Sequence, residues 1–481
     1  MLTLRDYQTE GFNGIRNLYY KVKRVLYVLP CGGGKTLIFG AVAHGLTLKR
    51  KRSYILVHRQ ELLRQASNML RTLGVPHGVM SGLRKRSLHE PIIVATVQTL
   101  VRNLGKLEPP DMIVCDEAHR SVSPSYNKIF EHWPNAFVLG VTASPKRLDG
   151  KSLGFLYHEM ICGPSVKQLI DRGFLSDFIA YAPPHTPDLS EVAMKGADYD
   201  AAALELLFDT PKLIGDAVQH YRRHANGLPA IAFCVSVKAA EDVAAAFNAE
   251  GYKAVSVDGE KSEAYRRDAL DGLASGKYHV VTSCDLISEG IDVPACAAAI
   301  LLRPTKSVAL AIQQMGRALR PVYAHGLPLD TNEERLAAIA AGPKPRAVIL
   351  DHAGMIKEHG FPDDDQQWSL QDGPKKKRKG STPNIRMRHC PECEAIHKPM
   401  PECPRCGYVY ETFGREVEQV DGELVEMTSV DRERIRMERK SAINKARTED
   451  QLQAVAKKYG YKPGWVHYML KARGAKSVRR S

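Results

Sequence analysis

Short apolar segments that alternate with amphipathic ones constrain the fold of this chain more than any other feature. Five of them lie between Val25 and about Pro145: VLYVL, SYILV, PIIVA, MIVC and AFVLGV. A second series begins near Pro229: AIAFCV, KAVSV, HVVTSC, AAAILL and RAVIL. Strands separated by helices form βαβ units, in which helices cover both faces of a parallel sheet. The sequence therefore predicts an α/β fold with two parallel-sheet domains in tandem.

Changes in composition between and after the two series predict the remaining boundaries. The stretch APPHTPDLSEVAMKGADYD is typical of a linker or surface excursion, and FPDDDQQWSLQDGPKKKRKGSTPN is typical of a flexible connector. We expect, in order, a first α/β domain (1–150), a connecting segment (151–228), a second α/β domain (229–360) and a basic linker (361–388). After these come a segment whose two Cys-x-x-Cys pairs predict a zinc ribbon (389–410) and a basic helical tail (411–481).

The basic charge of the chain is concentrated at its C-terminal end. The formal net charge is +14, and residues 374–481 hold 25 Lys and Arg against 14 Asp and Glu, a balance of +11. A near-neutral body with a basic tail indicates a polyanionic partner, most simply nucleic acid. A solvated tail that keeps the protein soluble explains the charge equally well.

The sequence indicates neither a membrane nor an oxidising compartment. It contains no apolar run of the roughly 18 residues that would be needed to span a bilayer. The start, MLTLRDYQTEGF, lacks the build of a secretory signal. Six cysteines are scattered as reduced cytosolic thiols usually are: Cys31, Cys115, Cys162, Cys234, Cys284 and Cys296. We therefore expect a cytoplasmic protein.

The stretch VLYVLPCGGGKTLIFG places a glycine-rich loop between a strand and a helix. The backbone N–H groups of residues 32–34 could curl around phosphates at the helix N-terminus. Lys35 would then reach the β- and γ-phosphates of ATP, and the Thr36 hydroxyl would ligate Mg²⁺. Because Leu29 stands where the usual motif has its first glycine, a glycine-rich turn with an exposed lysine is the alternative for this stretch alone.

The stretch MIVCDEAH places two carboxylates, Asp116 and Glu117, just past a predicted strand. An ATPase needs one carboxylate to hold Mg²⁺ and another to orient and deprotonate the attacking water. Two adjacent acids at a strand end would otherwise be an ordinary solvated pair. With Lys35 upstream, they predict an ATP-hydrolysing site.

The stretch QQMGRALR carries Arg317 and Arg320 three residues apart, which predicts that both lie on one face of a helix. Arginines supplied by the second domain can stabilise charge on the γ-phosphate as arginine fingers. Taken alone, the stretch would favour the plain alternative of two exposed helical arginines.

The stretch CPECEAIHKPMPECPRC contains two Cys-x-x-Cys pairs, formed by Cys390, Cys393, Cys403 and Cys406. This spacing predicts a structural Zn²⁺ site with four thiolate ligands, in which the metal supplies the folding energy of a short polar segment. A redox pair is the main alternative, but it usually lies in a thioredoxin-type βαβ unit, which the surrounding pattern lacks. We expect an auxiliary nucleic-acid grip, with a protein-interaction knuckle as the alternative.

In this order, the motifs resemble those of the superfamily 2 helicases from Leu4 to about Gly354. LRDYQ resembles the adenine-reading segment, PCGGGKT the phosphate loop, and DEAH the acids that serve Mg²⁺ and water. TASP resembles the coupling motif, with Ser144 in place of the commoner Thr, and SEGIDVP and QQMGRALR resemble the motifs of the second domain. The resemblance implies two RecA-like domains with ATP and Mg²⁺ between them.

The resemblance also implies a role for each matching residue. The residues implied at ATP are Arg5, Gln8, Gly32, Gly33, Gly34, Lys35, Thr36, Gly290, Asp292 and Gln313. Those implied at the nucleic-acid backbone are His58, Arg59, Thr96, Gln98, Ser236 and Lys238. Those implied in coupling the two sites are His119, Thr142 and Ser144.

The stretch LLRPTKSVALAIQQMGRALRP, followed by AVILDHAG and a Cys-pair knuckle, resembles the RadD-like and XPB-like branch of DEAH-box repair helicases. A phage- or prophage-encoded relative would fit the short C-terminal part. The resemblance implies an ATP-dependent helicase or translocase on single-stranded and forked or branched DNA, in a bacterial or phage-infected cell. One alternative is RNA as the track. Another is a DNA-binding scaffold whose ATPase is a conformational switch.

Overall fold

The structure is a computed structural model, and it describes residues 4–82, 85–146, 152–182, 189, 192–196, 198–208, 211–284, 293, 295–366, 368–371, 387–410, 437–438, 441–443, 446, 448–459, 461, 465–466 and 469–470. The chain forms two compact units, Met1–Tyr410 and Glu411–Ser481. Among the described residues, no helix is both long and apolar enough to cross a membrane.

An eight-stranded sheet organises the first domain within the described residues. Its strands are β1 (Arg24–Val28), β2 (Ser53–Val57), β3 (Gly78–Met80), β4 (Lys85–Arg86), β5 (Ile92–Thr96), β6 (Met112–Asp116), β7 (Phe137–Thr142) and β8 (Glu159–Cys162). Their order is β4-β3-β5-β2-β6-β7-β1-β8, and only the β3–β4 pair is antiparallel. The five predicted strands are all present and lie next to one another at the centre of the sheet, from β5 to β1.

Helices cover both faces of this sheet. They are α1 (Asp6–Leu18), α2 (Lys35–Thr47), α3 (Gln60–Thr72), α4 (Val97–Val101) and α5 (Pro124–His132). Successive side chains along a strand point to opposite faces. Ile55 and Val57 accordingly join the buried cluster that contains residues of α1 to α3, while Tyr54 and Leu56 join the cluster that contains residues of α4 and α5.

A second sheet organises the other domain. In chain order, and with the hairpin strands β10 and β11 and the intervening helices included, the elements are α6 (Val166–Asp171), β9 (Phe178–Tyr181), β10 (Met194–Lys195), β11 (Asp198–Tyr199), α7 (Ala201–Phe208), α8 (Pro211–His224), β12 (Ala230–Phe233), α9 (Val237–Ala249), β13 (Ala254–Val257), α10 (Glu263–Ser275), β14 (Val280–Ser283), β15 (Ala298–Leu301), α11 (Val308–Ala318), α12 (Asn332–Ala340), β16 (Ala347–Asp351), α13 (Met355–His359), β17 (Arg388–His389) and β18 (Ile396–His397). The sheet order is β13-β14-β12-β15-β16-β9-β18-β17, parallel from β13 to β9.

The predicted connecting segment, 151–228, is not a separate linker. Its residues Glu159–Cys162 pair in parallel with β1 and form the edge of the first sheet. Phe178–Tyr181 pair in parallel with β16 and extend the second sheet. The first sheet therefore continues past residue 150, and the second domain takes one strand from before the predicted start at residue 229. The strand Glu159–Cys162 begins with a charged residue, so it does not stand out as an apolar run.

The cysteine-rich segment is part of the second domain and not a module hanging from it. Described residues 387–410, here called the zinc knuckle, contribute β17 and β18, and Ile396 pairs antiparallel with Ala180 of β9. Parallel sheets leave an edge of unpaired backbone groups, and this hairpin covers that edge. Backbone pairing therefore fixes the knuckle to the sheet, and its expected role as an auxiliary nucleic-acid grip stays a prediction.

Part of the predicted basic linker, 361–388, packs against the first domain. Trp368 and Leu370 pack against a buried cluster of the first domain, and the Ser152 hydroxyl donates a hydrogen bond to the Leu370 carbonyl over 2.6 Å. Its basic part, PKKKRK, lies outside the described residues.

In the C-terminal unit, helix α14 spans Glu449–Tyr459. The Gln451 N–H donates to the Thr448 hydroxyl over 3.4 Å, and the Thr448 N–H donates to the Gln451 side chain over 3.3 Å, so the two residues form a capping box at the start of this helix.

Candidate active site and nucleic-acid interface

The phosphate loop turns sharply between β1 and α2. Gly32 and Gly34 have φ values of 81° and 87°, in the left-handed region that favours glycine. A Cβ on Gly34 would lie 2.4 Å from the side-chain nitrogen of Gln8, so only glycine allows this approach. Helix α2 begins at Lys35. The free N–H groups of its first turn therefore lie at the loop, where they favour a phosphate.

The predicted charged groups of the ATP site lie close together. Burial alone would lower the pKa of the Lys35 amine, but Cys31, Glu117 and Asp116 together outweigh burial and raise it. Burial, followed by the negative charge of Glu117, raises the pKa of the Asp116 carboxyl, while Lys35 opposes that rise. Two buried carboxylates beside one lysine attract a further cation. With the Thr36 hydroxyl at the start of α2, this oxygen-rich set fits Mg²⁺.

Glu117 is held by groups from both domains. Its backbone has a φ of 51°, unusual for a residue other than glycine, and its N–H donates to Asp116 Oδ1 over 3.0 Å. The Gln313 side-chain amide, from α11 of the second domain, donates to Glu117 Oε2 over 3.2 Å. The resemblance places Gln313 at ATP; in the structure its described contact is with the acid.

His119 links this acid to the coupling motif. Its Nδ1 lies 3.5 Å from Glu117 Oε2 and 3.4 Å from Thr142 Oγ1. The Thr142 hydroxyl also donates to the Ser144 carbonyl over 2.8 Å and accepts from the Ser144 N–H over 3.2 Å. A continuous chain of contacts thus joins DEAH to TASP, and the role of these residues in coupling stays a prediction.

Both predicted arginines lie at the ATP site, but they do not share a helix. Arg317 is buried in α11 and close enough to affect the pKa of Lys35. Helix α11 ends at Ala318, so Arg320 lies beyond it, and the prediction that both lie on one helical face is wrong. A Cβ on Gly32 would lie 3.4 Å from Arg320 Cγ. The second domain therefore meets the phosphate loop directly.

One residue at this site has no signal in the sequence. Lys344 is buried, and its amine lies 2.5 Å from the carbonyl oxygens of both Arg320 and Cys296, to which it donates. It therefore fixes the backbone that carries Arg320. A lone lysine in a loop, AGPKPRAVIL, gives no pattern from which this contact could be inferred.

The adenine-reading segment contacts the phosphate loop. Gln8 is buried; its side-chain oxygen accepts from the Arg5 N–H over 3.0 Å and its nitrogen donates to the Gly33 carbonyl over 3.1 Å. Tyr7 donates to the same carbonyl over 2.8 Å. The Arg5 guanidinium lies 4.4 Å from the ring centre of Phe174. Gln8 thus supports the loop in this structure, and a direct contact with adenine stays a prediction.

The residues predicted at the nucleic-acid backbone lie at the carboxyl ends of strands. His58 and Arg59 follow β2, while Thr96 ends β5 and Gln98 lies two residues further on. Strands β2 and β5 are neighbours, whereas the ATP motifs follow β1, β6 and β7. The same edge of the first sheet therefore carries two groups of motifs side by side. Thr96 is buried and its hydroxyl donates to Thr99 over 2.9 Å, so Thr96 is the least accessible of these residues.

The two second-domain residues predicted at the nucleic-acid backbone, Ser236 and Lys238, differ in their contacts. The Ser236 hydroxyl caps α9 by accepting from the Ala239 N–H over 3.0 Å, and it also donates to Glu205 over 2.8 Å. Lys238 is exposed and lies 2.9 Å from Asp242. Gly290 and Asp292, the pair implied at the ATP ribose and domain interface, lie outside the described residues.

Two ion pairs between helices add to the contact of the domains. Glu61 of α3 is buried and lies 2.6 Å from Arg266 of α10. Arg64 lies 2.7 Å from Glu263 on the same two helices. Helix α3 begins just after His58 and Arg59, the residues predicted to contact the nucleic-acid backbone. These two ion pairs therefore fix the position of the helix that follows them.

The four cysteines form a compact cluster. Their Sγ atoms all lie within 4.8 Å of one another, with 3.5 Å between Cys390 and Cys406 and 3.7 Å between Cys393 and Cys403. Tetrahedral Zn²⁺ with bonds of about 2.3 Å to sulfur requires sulfur atoms about 3.8 Å apart. The thiols therefore fit Zn²⁺. Both ring nitrogens of the nearby His397 have other partners, the Tyr410 hydroxyl and the Lys398 carbonyl, each at 2.7 Å. The four cysteines therefore form the ligand set without this histidine.

Side chains of the zinc knuckle also contact the second domain. Glu394 has a φ of 62°, and the equivalent position after the second Cys-x-x-Cys pair is Gly407, at 72°. Glycine would suit both turns, but the Glu394 carboxylate lies 2.8 Å from Arg223 and 3.4 Å from His224 of α8. The structure thus gives a reason for a glutamate in a strained position: it anchors the knuckle.

Comparisons with known proteins agree with this geometry. Residues 1–147 match the family described as type III restriction enzyme, res subunit, and residues 194–322 match the helicase conserved C-terminal domain. The 51.5 kDa protein of a Lactococcus phage is 32% identical over 79% of this chain and 76% of its own length. Putative ATP-dependent helicase IRC3 of Saccharomyces cerevisiae is 29% identical over 66% of this chain but only 49% of its own length. The DNA 3'-5' translocase XPB2 of Sulfurisphaera tokodaii is 24% identical over 66% of this chain and 79% of its own length.

The matched domains, their order and the ATP site between them define one class of protein. The chain belongs to the superfamily 2 helicases, which are ATP-hydrolysing enzymes that act on nucleic acid. The fold class inferred from the sequence, two α/β domains with parallel sheets, is confirmed.

Proposed function

We propose that the protein is an ATP- and Mg²⁺-dependent DNA translocase or helicase of the RadD-like and XPB-like branch, active on forked or branched DNA. The contact between Gln313 and Glu117 carries the proposal, because it makes hydrolysis depend on how the two domains meet. The likeness to a protein named as a DNA translocase, over 66% of this chain, favours DNA as the track.

The site residues suggest how hydrolysis depends on the closed cleft. Lys35 and the N–H groups at the start of α2 bind the phosphates. Thr36 and Asp116 would hold Mg²⁺, which when bound neutralises charge on the phosphates. Glu117 orients the attacking water and takes its proton. Gln313 holds Glu117 in place, and Arg317 and Arg320 add positive charge at the phosphate loop only while the second domain is docked.

Movement along a strand follows from the placement of the two groups of motifs. His58, Arg59 and Gln98 lie on the first domain, while Ser236 and Lys238 lie on the second. If each set contacts backbone phosphates, then opening and closing of the cleft changes the distance between two grips on one strand. Within the first domain, the contacts from Glu117 through His119 to Thr142 join the proposed catalytic carboxylate to the coupling motif after β7.

We also propose that the zinc knuckle holds Zn²⁺ and stabilises the edge of the second sheet. Four thiolates at the observed separations support the metal, and the pairing of Ile396 with Ala180 supports the structural role. A role in gripping nucleic acid then falls to the basic stretches on either side of it, PKKKRK and RERIRMERK.

Stimulation of ATP hydrolysis tests the nature of the track. The rate of ATP hydrolysis by the full chain should be measured in the presence of forked DNA, blunt duplex DNA, single-stranded DNA and RNA of matched sequence. The variant Lys35→Ala is the inactive control. The proposal expects forked or single-stranded DNA to stimulate hydrolysis most. Equal or greater stimulation by RNA would favour an RNA helicase. Hydrolysis that no nucleic acid changes, together with tight DNA binding, would favour a scaffold with an ATPase switch.

A further inference from the structure

A segment of the second domain returns to the first domain after the last motor strand. This strap, defined as the described residues 361–366 and 368–371, begins at Phe361, which is buried in the second-domain core. At its other end, Trp368 and Leu370 pack against the buried cluster that contains β2 and β6 side chains of the first domain. The Ser152 hydroxyl donates to the Leu370 carbonyl over 2.6 Å. The strap therefore has one end in each motor domain.

The fit at the first-domain end is close. A Cβ placed on Gly154 would lie 1.8 Å from the Leu370 carbonyl oxygen, and the two other nearest atoms also belong to Leu370. The φ of Gly154 is not in the left-handed region, so the backbone itself would accept another residue. Glycine at this position is required by the strap alone.

The zinc knuckle fixes the other end of the strap. The Lys398 amine lies 2.7 Å from an Asp364 carboxylate oxygen and 3.1 Å from one of Asp363. The Asp364 carboxylate also accepts from the Phe361 N–H over 2.8 Å. Ion pairs with the knuckle and a hydrogen bond to the Phe361 N–H thus hold this end of the strap.

A short series of hydrogen bonds connects the first-domain end of the strap with the turn that follows Glu117. Ser152 and Gly154 belong to a tight turn that is closed by a hydrogen bond of 3.0 Å from the Tyr157 N–H to the Leu153 carbonyl. The Tyr157 hydroxyl lies 2.9 Å from the Ser121 hydroxyl, which donates to the Ala118 carbonyl over 2.6 Å. Ala118 directly follows Glu117.

We propose that the strap positions the catalytic turn: its docked end holds residues 152–157 against the turn after Glu117, so that hydrolysis is fastest when the second domain and zinc knuckle are in place. Trp368 and Leu370 are positioning residues and do not touch the substrate. Release of the strap lowers the rate of the chemical step and leaves the phosphate loop and Gln8 intact.

The variant Gly154→Ala tests this directly, because its added methyl group meets only the strap. Gly105→Ala is the matched control, since Gly105 also lies in the first domain and a Cβ there would meet nothing within 4 Å. The chain contains 3 Trp, so full-length protein labelled with 5-fluorotryptophan gives one fluorine signal from each, and Trp368→Phe identifies that of Trp368.

In Gly154→Ala, the Trp368 signal should move toward the solvent-exposed position, and kcat for ATP should fall by about tenfold, as expected when a catalytic group is misplaced. KM for ATP should stay close to that of wild type. Gly105→Ala should change neither. Leu370→Ala, a truncation on the strap itself, should reproduce the loss of kcat if Gly154→Ala does not fold.

An unmoved Trp368 signal in Gly154→Ala would mean that the strap does not dock there. A moved signal with unchanged kcat would mean that it docks without positioning the turn. The rate measurement rests on the ATPase activity of the family, whereas the fluorine measurement does not. A wild-type protein without hydrolysis would therefore overturn the proposed function and leave the docking result interpretable.

Discussion

The side-chain amide of Gln313 donates a hydrogen bond of 3.2 Å to the carboxylate of Glu117, and both residues are buried. The two belong to different domains, so the bond exists only when the domains are docked. It gives the carboxylate that we propose as the catalytic base a fixed direction, and a donated hydrogen bond favours the charged form of a carboxylate. On the proposed function, hydrolysis thereby becomes conditional on domain closure, which is what a motor requires.

Replacing Gln313 should therefore slow hydrolysis without weakening ATP binding. A hydrogen bond to a charged group contributes about 1.5–3 kcal/mol, so Gln313→Ala should lower kcat by about 10- to 100-fold. Gln314→Ala is the matched control, because it removes the same side chain from the next position of α11. Steady-state ATPase kinetics with saturating DNA measure the effect. Equal losses in the two variants would show that the contact with Glu117 has no special role.

Replacing an arginine of the second domain should slow ATP hydrolysis much more than it weakens nucleotide binding. Loss of an arginine finger typically costs on the order of 10³ in rate, so Arg317→Ala should nearly abolish single-turnover hydrolysis. Binding of a non-hydrolysable ATP analogue should change much less, because Lys35 and the helix N-terminus remain. Arg71→Ala, at an exposed position of α3, is the control. Wild-type rates in Arg317→Ala would remove this arginine from the catalytic set.

Zinc should matter for the stability of the second domain. We expect one Zn²⁺ per chain, lost in Cys403→Ser and retained in Cys162→Ser, whose cysteine is exposed and outside the cluster. Because the knuckle pairs with β9, loss of the metal should lower the melting temperature of the motor as well. Elemental analysis and thermal unfolding measure the two effects. Zinc-free protein that melts as the wild type does would contradict the structural role.

Glu394→Gln should distinguish docking of the knuckle from folding of the knuckle. The substitution removes the carboxylate that lies beside Arg223 and His224 but leaves all four thiols. Zinc content should be unchanged, while amide hydrogen exchange at β9 and β18 should become faster. Unchanged exchange would mean that backbone pairing alone holds the knuckle, and loss of zinc would mean that Glu394 supports the metal site itself.

Lys344 predicts a specific dependence of stability on pH. Burial, opposed by the Cys296 thiol and reinforced by the charge of Arg320, lowers the pKa of Lys344 to about 8, whereas an unfolded lysine titrates near pH 10.4. Between these pH values the unfolded chain binds more protons, so the free energy of unfolding should rise with pH by up to about 1.4 kcal/mol per unit.

Chemical denaturation of wild type and Lys344→Met over this pH range measures that contribution by difference. The variant should lack it, while the exposed control Lys49→Met should keep it. Parallel pH profiles for all three proteins would show that Lys344 titrates normally.

Much of the fold follows from the sequence because a strand buried on both faces leaves a continuous apolar run. SYILV and MIVC are recognisable for this reason, and the residues after them fall at one sheet edge. Strands at the sheet margins leave weaker signals: Glu159–Cys162 has two exposed ends and two half-buried central residues, and Ile396–His397 is held by pairing with Ala180. Neither length nor pattern reveals such strands.

The active site was predictable where a local motif encodes it and not where packing does. Short sequence motifs contain Lys35, Asp116 and Glu117, and the residue types in these motifs predict their chemical roles. The contacts of Lys344 with Arg320, and of Leu370 with Ser152, join residues far apart in the chain and depend only on the tertiary fold. The position of Arg320 beyond the end of α11 likewise depends on where the helix stops.

Strand displacement on forked DNA, with wild type, Lys35→Ala and Gln313→Ala compared at equal DNA occupancy, tests the central claim most directly. A motor whose two domains must close on ATP predicts that wild type separates the fork only with ATP and Mg²⁺. Lys35→Ala should bind the fork without separating it, and Gln313→Ala should separate it more slowly, in proportion to its lower ATPase rate. Separation of the fork by Lys35→Ala at the wild-type rate, or hydrolysis by wild type that never displaces a strand or moves along DNA, would contradict a DNA motor driven by this site.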